Sequence, residues 1–420
     1  MTQAQFDFEQ AWASRIPARW RWTRNKELLA ESQAVTADGS EELLSVSHLT
    51  GITPKSEKHV TMTAAENLDG YRLVETGDLV INTMWAWMGA LGVARQRGIV
   101  SPAYGVYSPR PDAPFNPAFY DYLYRSRPYV MEMTRLSRGI WSSRLRLYPD
   151  VFLRMAIPVP PPDEQRAIAD YLDRETARID TLIEEQQSLI EMLRERRAAV
   201  VDAALAPLNS WTRTTLKHLL SGIDQGVSPQ AEAGLADEPG TWGVLKTGCV
   251  NRGVFRPEEH KRLPSDFAFD PAIAVEVGDV IVSRASGSPD LVGSAAIVER
   301  LDYQLILSDK LFRLRAKQSV EPRFLVWSLN SGQYRVQVGH AISGAEGLAN
   351  NLPLSKLRAF ETHHPSLEEQ RRIATHLDEQ TTKIDTLVEE TERFIELACE
   401  RRAALITAAV TGQIDIQEMA

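Results

Sequence analysis

The chain has 420 residues, 43% hydrophobic and 25% charged, with a formal net charge of −9. That composition excludes a disordered or collagen-like chain. No stretch approaches the roughly 18 consecutive apolar residues of a membrane span, and the opening MTQAQFDFEQAW has no basic-then-apolar signal pattern. Cys249 and Cys399 form no CxxC, and none of the eight histidines joins them at zinc-finger spacing. A cytoplasmic protein without structural disulfide or metal is the expectation.

Taken in chain order, charge divides the sequence. Residues 1–162 come to about +2, and within them residues 91–160 come to about +6, mostly as arginine. Residues 163–206 come to about −5, residues 207–367 to about zero and residues 368–420 to about −6. Base therefore gathers on the globular stretches and acid on the segments that follow them, a distribution compatible with phosphate binding despite the net charge.

The first globular stretch reads as α+β. A strand at 78–82 follows Gly77-Asp78, and a helical stretch is expected over Phe119–Arg125. Between strand and helix lies a loop, Asn82 to Gly89, carrying Trp85 and Trp87. A second loop, Arg135 to Arg144, carries Arg135, Arg138, Gly139, Trp141 and Arg144. After Pro160-Pro161-Pro162, residues 163–204 contain neither Gly nor Pro, and apolar residues recur at steps of four and three. Ile168, Leu172, Ile179, Ile183, Ile190 and Leu193 form the stripe, interrupted by Thr176, Gln186 and Arg197. About 40 helical residues at ~1.5 Å each predict a rod near 60 Å long.

The pattern then repeats. A strand at 279–283 follows Gly278-Asp279, another is expected over Leu311–Leu314, and a helix over Arg323–Ser331. The loop after the first strand holds Arg284, Ser286 and Ser288; the later loop, Ile342 to Asn351, holds Ser343, Gly344, Asn350 and Asn351. After Pro365 comes a second rod, 368–409, with more than half its positions identical to 163–204 at a constant offset of 205. Its stripe is Ile373, Leu377, Ile384, Val388 and Ile395, interrupted by Thr381, Thr391 and Arg402. Such stripes cannot be buried within one helix, but two copies can bury them on each other as a coiled coil. The polar interruptions fall at matching places, as register-setting residues do, although ordinary breaks in a marginal seam read the same way. The outward acids Glu184, Glu185, Glu389 and Glu390 read as solvated surface or as docking positions.

The loops that differ between the copies are where two versions of one module differ in what they recognise. Arg suits guanine and Asn adenine, each good pair worth ~1–3 kcal/mol of discrimination. Candidate DNA-contacting residues are thus Trp85, Arg135, Arg138, Trp141, Arg144, Arg284, Ser286, Ser288, Ser343, Asn350 and Asn351. The alternative for each is a polar loop residue without a ligand. For Trp85 and Trp87 it is core packing.

No catalytic constellation appears. There is no GxxxxGK[ST], HExxH or GxSxG. Asn116-Pro117-Ala118-Phe119 departs from an adenine-methyltransferase [DNS]-P-P-[YFW] string. Pro149-Asp150 and Pro289-Asp290 lack the nearby Glu-x-Lys of restriction nucleases.

A proline boundary, E-Q-R-x-I-A-x-x-L-D (Glu164 to Asp173; Glu369 to Asp378) and I-D-x-L (Ile179 to Leu182; Ile384 to Leu387), twice behind divergent globular segments, resembles the specificity subunits of type I restriction–modification enzymes. That resemblance covers essentially the whole chain. It implies a subunit without catalysis of its own that binds a bipartite double-stranded DNA target. It also implies a complex with two adenine methyltransferase subunits using S-adenosylmethionine and with restriction/translocase subunits using ATP and magnesium. No cofactor is expected in this chain.

The expected architecture is α+β: two similar target-recognition domains (mixed sheet, short helices) separated by two long helices in an antiparallel coiled coil, with a pseudo-two-fold repeat. The boundaries are 1–160, 161–207, 208–364, 365–412 and a tail at 413–420. Two rivals stand beside it: a coiled-coil scaffold that binds only proteins, and a nuclease or methyltransferase with divergent motifs.

Overall fold

The computed structural model of the chain describes residues 13–57, 68, 70–139, 145–251, 253–342 and 350–414. It divides into unit 1, Met1–Gln187 with Glu392–Ala420, and unit 2, Ser188–Thr391.

Unit 1 is built on a four-stranded antiparallel sheet. Its strands are β1 (Leu29–Glu31), β2 (Leu79–Ile81), β3 (Leu91–Val93) and β4 (Gly105–Pro109), in the order β1-β4-β2-β3. Unit 2 repeats that order with β5 (Leu220–Gln225), β6 (Val280–Ser283), β7 (Ala295–Ile297) and β8 (Leu311–Ala316), as β5-β8-β6-β7. Equivalent registers recur, Leu79 facing Val93 in one and Val280 facing Ile297 in the other. Parallel pairing occurs in a second sheet of unit 2, where Trp242–Leu245 lies beside Gln304–Ile306. Among the described residues of unit 1 it is reduced to the bridge Leu43–Ile99.

The Gly-Asp turns explain why β2 and β6 start where they do. Gly77 and Gly278 sit at φ +94° and +95°, a region side-chain-bearing residues avoid. The following carboxylates accept backbone N–H groups three residues back, Glu75 to Asp78 at 2.8 Å and Glu276 to Asp279 at 2.9 Å. In unit 2 Asp279 also meets Arg313, 4% exposed at its side chain, which bonds Asp224 and the carbonyls of Ala272 and Ala274. Burial pulls that guanidinium's pKa down, but Asp279 and Asp224 outweigh it and raise it.

Short helices α1 (Pro117–Arg125) and α2 (Arg127–Leu136) cover the first sheet. Asn116 caps α1 by accepting the Phe119 N–H at 2.9 Å. Rings from β4, α1 and α2 (Tyr107, Phe119, Tyr120, Tyr124, Tyr129) fill the core around Asn25. Burial raises the pKa of the Tyr107, Tyr120, Tyr124 and Tyr129 phenols, keeping them neutral. In unit 2 the expected helix over 323–331 is instead two. One spans Pro322–Ser328 and the next Gly332–Ala341, because the Ser331 hydroxyl accepts the Tyr334 N–H and starts a new helix.

The long elements are α3 (Pro162–Ala204) and α4 (Leu367–Val410). α4 stops at Gly412, φ +68°, with the Gln413 N–H returning to the Ala408 carbonyl at 2.8 Å. Of the stripe, Ile168, Leu172, Ile179, Ile190, Leu193, Ile373, Leu377 and Ile384 are buried, and Ile183, Val388 and Ile395 are half-buried. In unit 1 Ile168 and Leu172 share an apolar cluster with Leu405, Ala409 and Val410. In unit 2 Ile373 and Leu377 share one with Val200, Val201 and Leu205. Within each unit, then, the beginning of one long helix meets the end of the other.

The threonine interruptions are satisfied locally and the arginines across the seam. Thr176, Thr381 and Thr391 return their hydroxyls to carbonyls four residues back at 2.6–2.7 Å. Arg402 holds Asp180 at 2.8 Å in unit 1, and Arg197 holds Asp385 at 2.8 Å in unit 2. The seam arginines thus pair with the aspartates of the repeated I-D-x-L.

Candidate nucleic-acid interface

In each unit, the two loops picked out by sequence divergence are joined at their base. In unit 1 the Leu147 N–H donates to the Thr83 carbonyl at 3.0 Å. In unit 2 the Leu352 N–H donates to the Arg284 carbonyl at 2.9 Å. The second bond matches the first at the offsets of the repeat, 201 upstream and 205 downstream. An equivalent main-chain bond therefore holds a pair of loops together in each unit.

In unit 1 the first loop contains a short 3-10 turn, Ala86–Met88, and Trp85, 49% exposed, precedes it. Trp87 is half-buried and gives its indole N–H to the Met84 carbonyl at 3.0 Å. Thr134 of α2 donates to the Trp87 carbonyl at 2.9 Å, which ties this loop to the helix leading into the second. The second loop is closed by a two-way backbone bridge between Arg138 and Arg146, 3.0 and 2.9 Å. Arg135 is a half-exposed cation clamped by Glu132 at 2.7 Å. Trp141 and Arg144 lie outside the described residues.

In unit 2 the two loops form a miniature sheet. Ala285 and Ser286 pair with Asn351 and Asn350. Four candidates, Arg284, Ser286, Asn350 and Asn351, thus share one ribbon, with Ser288 held two residues on by the Ser286 hydroxyl at 3.2 Å. Arg284 is half-buried. Its Nη1 donates to the Asp309 carbonyl at 3.0 Å and its guanidinium lies 5.7 Å from the Phe312 ring centre. Arg284 Nε and Asn351 Oδ1 are buried without a hydrogen-bond partner among the described residues. Ser343 lies outside the described residues.

Other repeated residues hold these loops' scaffold to the long helices. Gln165, fully buried, accepts the Asn116 N–H at 2.9 Å and donates to the Pro160 and Pro114 carbonyls at 2.9 and 3.0 Å. Gln370, also fully buried, accepts the Glu321 N–H at 2.9 Å and donates to the Pro365 and Ser319 carbonyls at 2.9 and 3.1 Å. A second anchor uses different chemistry for one purpose. Tyr122 gives its hydroxyl to Asp173 at 2.7 Å, and Trp327, 205 positions later, gives its indole N–H to Asp378 at 2.8 Å. Burial first, then the Asp173 bond, pushes the Tyr122 phenol up to about 12 against the lowering pull of Thr176 and Arg402. Sequence reasoning noted these motifs as a repeat without assigning a role to Gln165, Gln370, Asp173 or Asp378. The available signal was their identity in two copies whose loops had diverged.

Cys249 is fully buried, and that burial raises its thiol pKa. Among the described residues no helix is long and apolar enough to cross a membrane.

The fold is that of a type I restriction–modification specificity subunit. The chain superposes on the HsdS subunit from Thermoanaerobacter tengcongensis with a TM-score of 0.57, over 95% of this chain and 98% of that one, at 17% identity. On a chain from a structural study of complex assembly and conformational transition of the type I R-M system the TM-score is 0.72, over 95% and 99%, also at 17% identity. In sequence the chain is similar to the EcoKI specificity subunit of Escherichia coli K12, 22% identical over 320 residues, 73% of this chain and 68% of that protein. It is 26% identical over 170 residues to the EcoEI specificity subunit of Escherichia coli, and that match spans 40% of this chain and 28% of its relative. No family model matches the chain. The resemblance first drawn from the duplicated motifs is thus found again in relatives and in solved structures.

Proposed function

We propose that this chain is the sequence-reading, non-catalytic subunit of a type I restriction–modification complex. Each recognition domain (1–160 and 208–364) reads one half of a bipartite double-stranded target, and the paired helices set the gap. Adenine methyltransferase subunits with S-adenosylmethionine, and restriction/translocase subunits with ATP and magnesium, supply the chemistry. The single observation that carries the reading is the equivalent main-chain bond, Leu147 to Thr83 and Leu352 to Arg284, beneath loops of unlike chemistry. A scaffold held constant while its loops change is what two readers of different half-sites require.

Direct readout falls to Trp85, Arg135, Arg138, Trp141 and Arg144 in the first domain. In the second it falls to Arg284, Ser286, Ser288, Ser343, Asn350 and Asn351. Selection of bound duplexes from a random pool tests the reading. The expected outcome is a two-part motif with a fixed gap, bound more weakly as salt rises. Recovery of no motif, with salt-independent retention, favours the protein-only scaffold. Methyl transfer or cleavage by the purified chain given S-adenosylmethionine and magnesium favours a divergent enzyme.

A further inference from the structure

The bond from Leu147 to Thr83 in unit 1 lies beneath an apolar knob. Met84 and Trp85 follow Thr83 and are 39% and 49% exposed, and Tyr148 follows Leu147 and is 45% exposed. Thr83 and Leu147 themselves are buried. Single exposed apolar residues are ordinary on any surface, but three large ones on adjoining segments form a patch that packing does not explain. By the offsets of 201 and 205, unit 2 carries Ala285, Ser286 and Pro353 at these places, and none of the three is exposed. The knob belongs to one copy alone.

The backbone under the knob is held firmly. The Trp85 N–H donates to the Asn82 carbonyl at 2.9 Å, and the Trp85 carbonyl accepts from Met88 and Ala90 at 3.0 and 3.1 Å. The Met84 carbonyl is taken by the Trp87 indole. Gly89 closes the turn at φ +86°, where a Cβ would stand 3.3 Å from Val130 of α2. Side chains carried on such a turn are aimed in advance, so little ordering is left for binding. Cations flank them. Arg146 precedes Leu147, Arg138 is bridged to Arg146 through the backbone, and both are exposed. An apolar tip beside arginines matches a base step beside phosphates, the tip meeting base faces and the guanidiniums meeting phosphate oxygens. An apolar protein face would leave those guanidiniums opposite carbon.

We infer that Met84, Trp85 and Tyr148 form a wedge that enters the duplex at the first half-site and unstacks one base step. That half-site is then read partly through deformability and contains a flexible pyrimidine–purine step. The second half-site is read without unstacking. The inference rests on the proposed function and gives the first recognition domain a physical way of reading that the second lacks.

The full chain is tested with the duplex it selects, labelled at both ends for energy transfer, and with the same duplex carrying one mismatch at the pyrimidine–purine step. The unaltered chain should kink the selected duplex by roughly 20–90°. It should bind the mismatched duplex about tenfold more tightly, because a mismatched step is already partly unstacked. Met84→Ala with Trp85→Ala should lose both the kink and the preference for the mismatch while still selecting the second half-site, which shows that the variant is folded. Trp85→Phe should keep both effects. Ser286→Ala in the second domain should relax the second half-site and leave the kink. A selected duplex that stays straight with the unaltered chain, or a kink that the double variant keeps, overturns the wedge and leaves the proposed function standing. Selection of no motif by the unaltered chain overturns the two together.

Discussion

Gln370 illustrates how one buried polar side chain fastens a globular domain to its long helix. Three backbone groups, the Glu321 N–H and the Ser319 and Pro365 carbonyls, depend on it. Gln370→Leu keeps the volume and strands all three. An unsatisfied buried group costs ~1–3 kcal/mol, so about 3 kcal/mol is the expected loss. A lowered thermal transition of the second recognition domain measures it, and Gln165→Leu should do the same to the first. The Asp180–Arg402 pair behaves differently. Its side chains are 47% and 36% exposed, so solvent screening holds its contribution to ~0.5–1 kcal/mol. Arg402→Met should therefore barely move the thermal transition. Exchanging the pair, Asp180→Arg with Arg402→Asp, should recover most of any loss, and a double-mutant cycle without coupling would contradict the pairing.

At the scale of elements, the long helices were legible because their period, their lack of Gly and Pro and their duplication all point one way. The strands after Gly77-Asp78 and Gly278-Asp279 were legible because a left-handed glycine and an aspartate that bonds back mark a turn. The break at Ser331 was not, since a serine inside a helical pattern becomes a cap only when its hydroxyl finds the Tyr334 N–H. The union of Ala285–Ser286 with Asn350–Asn351 was hidden for another reason: strand pairs two residues long have no periodicity to read. Helix length carries its own prediction. Seven residues added to both α3, within 174–193, and the matching stretch of α4 lengthen each by ~10 Å. At 3.4 Å per base pair that is about three base pairs. The selected motif should keep both half-sites and widen its gap by that amount; altered half-sites would contradict a spacer role.

At the scale of the whole molecule, the duplication organises what the single residues do. Two equivalent sheets, two glutamine clamps, two seam ion pairs and two loop pairs recur across one chain, and the loops are where the copies part. The net charge of −9 follows from the same division: acid lies on the duplicated helices and arginine is concentrated in residues 91–160, so the sum conceals a basic stretch. Replacing residues 208–364 with the corresponding reader of a related specificity subunit, followed by duplex selection, tests this division most directly. One half-site should change to that of the donor while the other half-site and the gap persist. A change in both half-sites, or in neither, would contradict it.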